Sequence, residues 1–345
     1  MTNNLKRDLQ PTLLNLSIII PVYNAEATLR RCLDSIFCAS NRHFEIILIN
    51  DGSEDKSIEI CREYKQEHPD IVKIIDQPNL GVSAARNVGI DNAQGKYIIF
   101  EDSDDYFCSG ILDNLELENS EADWELYNFE PETNETIVND ELVEAKNKIP
   151  YYEKILYGDR SSNGVINTNY RVVWSKIYKR DIIVNNDIRF PVGIPIGEDM
   201  LFNIAYVAHS NVFRYHTAKM SVYCDNPSSA MRSDKDVDKM IENNKSFTIG
   251  LKEYLNELGI IQAAPWLYYD RVVLDSVGGY AISKKMVNAT NELVQAVKFS
   301  SSSSKLKWHK EVAKRLSKKQ FGIANFELAI ISGGKKIKHL GQSYK

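Results

Sequence analysis

The chain has 345 residues, of which 43% are hydrophobic, so it can bury a substantial core and is long enough for two domains. Its formal charge of -5 conceals an asymmetry, because residues 301–345 hold 11 Lys and Arg against 2 Glu while the rest of the chain is acidic. An acidic main body argues against general nucleic-acid binding by that part of the chain. Five cysteines without a CxxC pair give no zinc-site spacing and are typical of a reducing compartment.

The N-terminal segment contains no long apolar stretch of the kind found in signal peptides. No run approaches the roughly 18 apolar residues that a membrane span requires. We therefore expect a cytoplasmic protein.

The first hundred residues alternate between short apolar strands and helical patterns. Strands are predicted at residues 16–20, 44–49, 71–75 and 96–100, and helices at 26–37, 55–66 and 82–93. This order implies an α/β fold with a mostly parallel sheet covered by helices. Ligands of such sheets bind beyond the carboxyl ends of the strands, so we expect the functional site at that edge.

The pattern is less regular after residue 108. Short strands are predicted at 124–129 and 174–178, and a helical run at 200–208. Beyond Asp234 the sequence is mostly helical, and the five serines Ser300–Ser304 predict a linker or loop. We therefore expect a domain over residues 1–230 and a mainly helical C-terminal extension with a basic tail over 231–345.

Four carboxylates follow the fourth strand within five residues: Glu101, Asp102, Asp104 and Asp105. Two carboxylates about 5 Å apart repel by roughly 3 kcal/mol at an effective dielectric near 20. A divalent metal would offset this repulsion, and Mg²⁺ and Mn²⁺ prefer such oxygen ligands. Two alternatives are a phosphatase nucleophile of the haloacid-dehalogenase type, which normally lies on the first strand, and a solvated turn that ends the strand.

Four segments together resemble the family 2 glycosyltransferases: LSIIIPVYNAE at 16–26, INDGS at 49–53, NLGVSAARN at 79–87 and DSDD at 102–105. The resemblance is strong over residues 16–107. It continues more weakly to about Ser229, through Trp174-Ser175-Lys176 and Gly197-Glu198-Asp199. It implies a GT-A fold, a nucleotide-sugar donor, a divalent metal and inversion at the anomeric carbon.

The resemblance also implies which residues bind the donor: Pro21, Tyr23, Asn24, Glu26, Asp51, Arg86, Asp102, Ser103 and Asp104. Asp51 would accept a hydrogen bond from uracil N3–H, which favours a UDP-sugar, although an Asp before Gly52 also suits a turn. Asp102 and Asp104 would hold Mn²⁺ or Mg²⁺ between the two phosphates of the donor.

On the acceptor side, Asp199 aligns with the general base that takes a proton from the acceptor hydroxyl. Its place at a predicted helix start equally suits an N-cap, and Glu198 is the alternative base. Trp174 and Lys176 match a WxK pattern that the family places near the acceptor. The alternative is that Trp174 is an ordinary core residue and Lys176 an ordinary surface residue. Tyr223 with residues 226–229 resembles a loop that closes near the diphosphate.

The basic tail contains a second pattern. On a helical wheel the apolar residues Leu306, Trp308, Val312, Ala313 and Leu316 lie opposite Lys307, Lys310, Lys314, Arg315 and Lys318. Such a helix can rest on an anionic membrane surface, which would suit a lipid-linked acceptor. The alternative is a helix docked on the protein, and the helical region could also form a homodimer.

The sequence therefore predicts an inverting, metal-dependent glycosyltransferase that moves a sugar from a UDP-sugar to a glycan or lipid-linked saccharide, in a bacterial polysaccharide pathway by resemblance. A nucleotidylyltransferase is disfavoured because no glycine follows the first strand, and a dehydrogenase because GxGxxG is absent. The remaining alternative is a catalytically silent glycan-binding or scaffolding protein of the same fold. The presence of Asp102, Asp104 and Asp199 counts against it.

Overall fold

The computed structural model describes residues 15–131, 137–158, 169–225, 237–283, 291–304, 310, 313 and 314. The strands are β1 (Leu16–Val22), β2 (Phe44–Asp51), β3 (Val72–Gln77), β4 (Tyr97–Phe100), β5 (Tyr106–Phe107), β6 (Trp124–Glu130), β7 (Glu141–Glu144), β8 (Lys176–Lys179) and β9 (Val212–Val222). The helices are α1 (Leu29–Phe37), α2 (Ser57–Glu67), α3 (Val82–Asn92), α4 (Ile149–Tyr157), α5 (Arg180–Asn185), α6 (Glu198–His209), α7 (Val237–Glu257), α8 (Ile260–Ala263), α9 (Trp266–Ser283) and α10 (Asn291–Ser303).

These strands form one sheet in the order β3-β2-β1-β4-β8-β6-β9-β5, with β7 paired to β9. The first four strands are mutually parallel, which confirms the predicted α/β fold. Strand β8 is antiparallel to both β4 and β6, so its first residues lie at the edge where β4 ends.

The first strand runs through Pro21 to Val22, whereas the sequence predicts that Pro21 ends it. Pro21 is in register with Ile49 of β2, but pairing with β4 stops at Ile19. The carbonyl of Ile19 accepts from Glu101 N–H at 3.1 Å, so the nitrogen of Pro21, two residues on, faces the side where β4 has ended. The missing N–H therefore costs no ladder hydrogen bond.

Strands β1, β2 and β4 are buried on both faces of the sheet. On β1, Ile18 and Ile20 join the apolar core on the α1 side, while Ile19 joins the core that includes α3 residues. Helix α3 lies directly against the strand, because a Cβ on Gly89 would lie 2.3 Å from Ile19 Cγ2. Burial on both faces explains why these strands are continuous apolar runs.

The helices from residue 237 onward pack into the apolar core on the α3 side of the sheet. Trp266 Nε1 donates to Glu153 of α4 at 3.0 Å, and Tyr157 Oη lies 3.1 Å from the carbonyl oxygens of Trp266 and Leu267. The predicted domain boundary at residue 230 falls outside the described residues and stays a prediction. No helix in the described ranges is both long enough and apolar enough to cross a membrane.

The prediction of a linker at Ser300–Ser304 is wrong. Helix α10 extends to Ser303, and Ser300 and Ser304 are both buried. Their hydroxyls donate to the two oxygens of the buried Asp270 carboxylate in α9, at 2.5 and 2.6 Å. The serines therefore satisfy a buried charge. Most of the predicted basic helix at 306–318 lies outside the described residues.

Candidate active site

The loops after β1 and β2 are held together at the carboxyl edge of the sheet. Asn24, whose φ is +47°, accepts a hydrogen bond from Glu54 N–H at 2.8 Å, and Glu26 accepts one from Lys56 N–H at 3.0 Å. These two predicted donor-binding side chains thus fix the shape of the edge. Tyr23 between β1 and Asn24 is 50% exposed, so its ring has surface available for stacking beside Pro21.

Asp51 is buried at the end of β2 and organises the loop that leads to α3. One carboxylate oxygen accepts from Gln77 Nε2 at 2.7 Å and from Leu80 N–H at 2.9 Å, and the other accepts from Gly81 N–H at 2.8 Å. A carboxylate has about four acceptor positions, so a further donor such as an imide N–H can still be accommodated. The side chain orders this loop whether or not it also contacts a base.

The acidic stretch after β4 divides into inward and outward side chains. Glu101 and Asp105 are buried, whereas Asp102, Ser103 and Asp104 are partly exposed at the edge. The inward pair ties this stretch to β9, because Glu101 accepts from Ser221 Oγ at 2.9 Å and Asp105 accepts from Cys224 N–H at 2.7 Å. The exposed carboxylates are therefore those that the resemblance assigns to the metal.

Protonation relieves the crowding of charge. Burial, with the negative charge of Asp105, raises the pKa of Glu101 well above its usual value. Burial, with the charges of Asp102 and Asp104, raises the pKa of Asp105 to about 7. At neutral pH the buried pair therefore carries much less than two negative charges, which lowers the repulsion at this strand end.

Arg86 joins the end of β4 to the start of α6. Its side chain is 4% exposed; Nη2 donates to Asp102 Oδ1 at 2.8 Å, and Nη1 donates to Asp199 Oδ1 at 2.8 Å. Nη1 also lies 3.5 Å from Glu198 Oε1. One buried guanidinium thus brings together the predicted metal ligand Asp102 and both candidate bases.

Asp199 does not cap helix α6, so the N-cap alternative is not realised. The N-cap is Gly197, with φ +96°, and a Cβ there would lie 2.4 Å from Phe247 Cδ2. Asp199 is the second helical residue, and its Oδ2 accepts from Val173 N–H at 3.3 Å. Its carboxylate is therefore held between Arg86 and the segment before β8.

Burial raises the pKa of both candidate bases, and the Arg86 guanidinium acts against that rise. Burial, with the negative charge of Asp199, raises the pKa of Glu198 to about 8. Burial also raises the pKa of Asp199, but the Arg86 guanidinium opposes that rise. Arg86 Nη1 lies 2.8 Å from Asp199 and 3.5 Å from Glu198, so the guanidinium favours the ionised form of Asp199 more strongly than that of Glu198.

Trp174 and Lys176 both lie inside the protein near Asp199. Trp174 is 6% exposed, its indole meets Phe129 edge to face at 4.7 Å, and Tyr223, 40% exposed, stacks on it at 5.8 Å. Lys176 is buried and donates to the carbonyl of Trp174 at 3.2 Å, so the alternative of a surface lysine is wrong. Residues 226–229 of the predicted closing loop lie outside the described residues.

The structure adds Asn87 and Phe190 to the predicted residues. Asn87 Nδ2 donates to the Phe190 carbonyl and Asn87 Oδ1 accepts from Phe190 N–H, both at 2.8 Å. Asn87 lies within a segment that carries the resemblance, but nothing local in the sequence marks Phe190 as its partner.

Comparison with known proteins identifies the family. Residues 17–114 match the profile of Glycosyl transferase family 2. The chain is 31% identical over 243 residues to "Uncharacterized glycosyltransferase YibD" of Escherichia coli (strain K12), a match covering 67% of each protein. This chain belongs to glycosyltransferase family 2.

Two further matches place this glycosyltransferase among its relatives. It is 32% identical over 199 residues to the "Poly(ribitol-phosphate) beta-glucosyltransferase" of Bacillus spizizenii, covering 55% of this chain and only 29% of that protein. Its fold matches the crystal structure of S. aureus TarS 1–349 in complex with UDP-GlcNAc with a TM-score of 0.66 and 17% identity, covering 92% of each chain. At this low identity, the match to TarS shows a similarity of fold alone.

The carboxylates of this glycosyltransferase fit a metal that is shared with a substrate. Asp102 Oδ1 is bound by Arg86, which leaves Oδ2, and Asp104 is partly exposed beside it in the chain. Within the described ranges, no group of three or more His, Cys, Asp and Glu side chains could hold a metal ion by itself. Mg²⁺ is typically held by one or two carboxylates together with substrate phosphates, and Mn²⁺ prefers the same oxygen ligands.

Proposed function

We propose that this family 2 glycosyltransferase transfers a sugar from a UDP-sugar to a saccharide hydroxyl with inversion at the anomeric carbon, and that Asp199 is the general base. Tyr23 and Asp51 would bind the uracil. Asp102 and Asp104 would hold Mn²⁺ or Mg²⁺, which supplies Lewis-acid stabilisation of charge on the leaving diphosphate.

The observation that carries this proposal is the double contact of Arg86. Asp199 lies 113 residues from Arg86 in sequence, yet both it and Asp102 accept a 2.8 Å hydrogen bond from this one side chain. A single guanidinium therefore holds the predicted base and one predicted metal ligand close together, which supports their acting in one site. The structurally similar TarS fragment binds UDP-GlcNAc, which supports a uridine donor here.

The chemistry of the chain's own groups follows from this arrangement. The Asp199 carboxylate would take the proton of the acceptor hydroxyl as its oxygen attacks the anomeric carbon opposite the diphosphate. A single displacement of this kind inverts the configuration. Only one carboxylate is needed, which agrees with Glu198 being protonated near neutral pH.

The acceptor is proposed at the level of class, a glycan or a lipid-linked saccharide. The name of the Bacillus spizizenii relative, a poly(ribitol-phosphate) beta-glucosyltransferase, supports a cell-surface polymer. The half-exposed Tyr223, which stacks on the buried Trp174 near the base, offers aromatic surface on that side. Cytoplasmic localisation, membrane contact through the basic tail and a homodimer stay predictions of the sequence.

The test is calorimetric titration of the protein with UDP, with and without Mn²⁺, beside Asp104→Ala. Asp70→Ala, which removes an exposed carboxylate between α2 and β3, is the matched control. We expect metal-dependent binding that Asp104→Ala loses and Asp70→Ala keeps. UDP-sugars are then screened for hydrolysis, and the anomeric configuration of the released sugar is read by NMR.

Each result decides one part of the proposal. Absence of UDP binding with either metal would exclude the uridine donor and favour a silent protein of the same fold. Binding without turnover in the presence of every UDP-sugar would contradict the enzymatic part for those donors. A product that retains the donor's configuration would contradict inversion by a single base.

A further inference from the structure

Two neighbouring residues of α3, Arg86 and Asn87, bind the chain around the start of α6 at two positions, Asp199 and Phe190. Asn87 makes paired 2.8 Å hydrogen bonds with the backbone N–H and carbonyl of Phe190. Arg86 donates to Asp199 at 2.8 Å, nine positions further along. Helix α3 otherwise belongs to the half of the sheet that the predicted donor site occupies, so these contacts connect the donor half to the predicted base.

The first of these contacts, at Phe190, lies in a tightly packed aromatic cluster. The Phe190 ring stacks on Phe202 of α6 at 4.1 Å and meets Phe100 of β4 edge to face at 5.1 Å. The Arg86 guanidinium lies over the same ring, 5.2 Å from its centroid. Phe190 is 1% exposed, so neither its backbone nor its ring can shift without disturbing β4, α3 and α6 together.

The second contact, at Asp199, is an ion pair with Arg86. Asp199 faces the cation Arg86 from α3 and the charge of Lys176 from β8, and it also faces the carboxylates Asp102 and Glu198. The Arg86 guanidinium opposes the rise in the pKa of Asp199 that burial causes. The two nitrogens of the planar guanidinium bind different carboxylates, so Arg86 fixes Asp199 relative to Asp102, which the single ammonium of a lysine cannot do equally well.

We propose that Asn87 is a positioning residue for Asp199, acting through Phe190, and that Arg86 fixes the orientation of the Asp199 carboxylate. The inference rests on the proposed role of Asp199 as the base. A displacement of a reacting group by about 1 Å can cost on the order of a hundredfold in rate, so a tether that touches neither donor nor acceptor still controls turnover.

The experiment compares Asn87→Ala with Asp91→Ala. Asp91 also lies on α3 and binds the same segment, through Arg189 at 3.1 Å, but its side chain is 57% exposed. Asp91 therefore tethers the same elements through a partly exposed side chain, Arg189, and makes no hydrogen bond to the Phe190 backbone. For each variant we measure kcat and KM for hydrolysis of the UDP-sugar found in the screen, the Kd for UDP with Mn²⁺, and the thermal midpoint.

We expect Asn87→Ala to lower kcat by about tenfold or more while KM and the UDP Kd stay within about twofold, because the hydrogen bonds of the Asn87 side chain go to Phe190 and not to a predicted donor-binding residue. Asp91→Ala should match the wild type. Arg86→Lys keeps the charge but loses the second binding nitrogen, and should lower kcat even where Asn87→Ala proves too unstable to assay. If it is as active as the wild type, the orientation role of Arg86 is wrong.

Equal kcat for Asn87→Ala and the wild type, or an equal loss in Asp91→Ala, would overturn the role of Asn87. These outcomes differ from failure of the proposed function. In that case the wild-type protein itself would show neither metal-dependent UDP binding nor hydrolysis, and the role of Asp199 would fall with it.

Discussion

Lys176 and Asp199 act on each other across the start of β8 and α6. Burial raises the pKa of the Asp199 carboxyl above its usual value, and the positive charge of Lys176 works against that rise. Lys176 is itself buried, with its ammonium donating to the Trp174 carbonyl. A buried cation beside a candidate base helps to keep that base ionised.

Replacing Lys176 by Met should therefore raise the pKa of Asp199. Since a general base acts only when ionised, the rate is lost as the pH falls through that pKa, so the acid limb of log kcat/KM should move to higher pH. At alkaline pH the variant should approach the wild-type rate. The measurement is the pH dependence of UDP-sugar hydrolysis.

Lys179→Met is the matched control, because Lys179 lies on the same strand but pairs with Asp123 at 3.5 Å and is partly exposed. Its acid limb should coincide with that of the wild type. An acid limb that Lys176→Met leaves in place would show that Asp199 is not the group that titrates in turnover.

The three hydrogen bonds to Asp51 give a second prediction. Asp51→Asn replaces one of the two carboxylate oxygens by an amide NH₂, so at least one of the donors Gln77, Leu80 and Gly81 then faces another donor. A buried donor without an acceptor costs about 1–3 kcal/mol, so the free energy of unfolding in urea should fall by that amount. UDP binding should fall more than a loss of folded protein explains, if the carboxylate also accepts from uracil.

Gln77→Met separates the two effects, since it removes one hydrogen bond to Asp51 and leaves its carboxylate in place. We expect a loss of stability of about 1 kcal/mol with an unchanged Kd for UDP. A Kd that changes equally in both variants would mean that Asp51 only shapes the loop.

The sequence predicts the donor half well for physical reasons. Strands buried on both faces are continuous apolar runs, and the polar residues that follow them, such as Asp51 and Asp102, lie at the edge where parallel strands end. The order of strands and helices along the chain, the parallel sheet and the family could therefore be inferred from the sequence.

The contacts that assemble the site are not local. Arg86 meets Asp199 across 113 residues, and Asn87 meets Phe190 across 103, so no periodicity or turn signal could pair them. The prediction of a linker at Ser300–Ser304 is wrong for a related reason. Its composition is that of a linker, but the buried Asp270 decides its structure from 30 residues away.

Close packing of α3 on β1 gives a third prediction. In Gly89→Ala the new Cβ would lie 2.3 Å from Ile19 Cγ2, so α3 must move outward or the strand must shift. Overpacking of this kind costs about 1–3 kcal/mol. Because Arg86 is on the same helix, kcat for hydrolysis should fall as well.

A double-mutant cycle with Ile19→Ala identifies the cause. Because Ile19→Ala removes Cγ2, Gly89→Ala should destabilise that variant less than it destabilises the wild type. The losses in the free energy of unfolding should therefore be less than additive. Additive losses would mean that Gly89→Ala acts through something other than the contact with Ile19.

The buried Asp270 gives the last prediction. Ser300→Ala and Ser304→Ala each remove one hydroxyl that donates to this carboxylate, at 2.5 and 2.6 Å. A hydrogen bond to a charged group contributes about 1.5–3 kcal/mol, so each substitution should lower the free energy of unfolding by that amount. Ser302→Ala is the control, because Ser302 is exposed and the hydrogen bonds of its hydroxyl stay within its own helix, to two carbonyls and to the Ser303 hydroxyl. If Ser302→Ala destabilises the protein as much as Ser300→Ala does, helix propensity rather than the Asp270 contact determines the stability of α10.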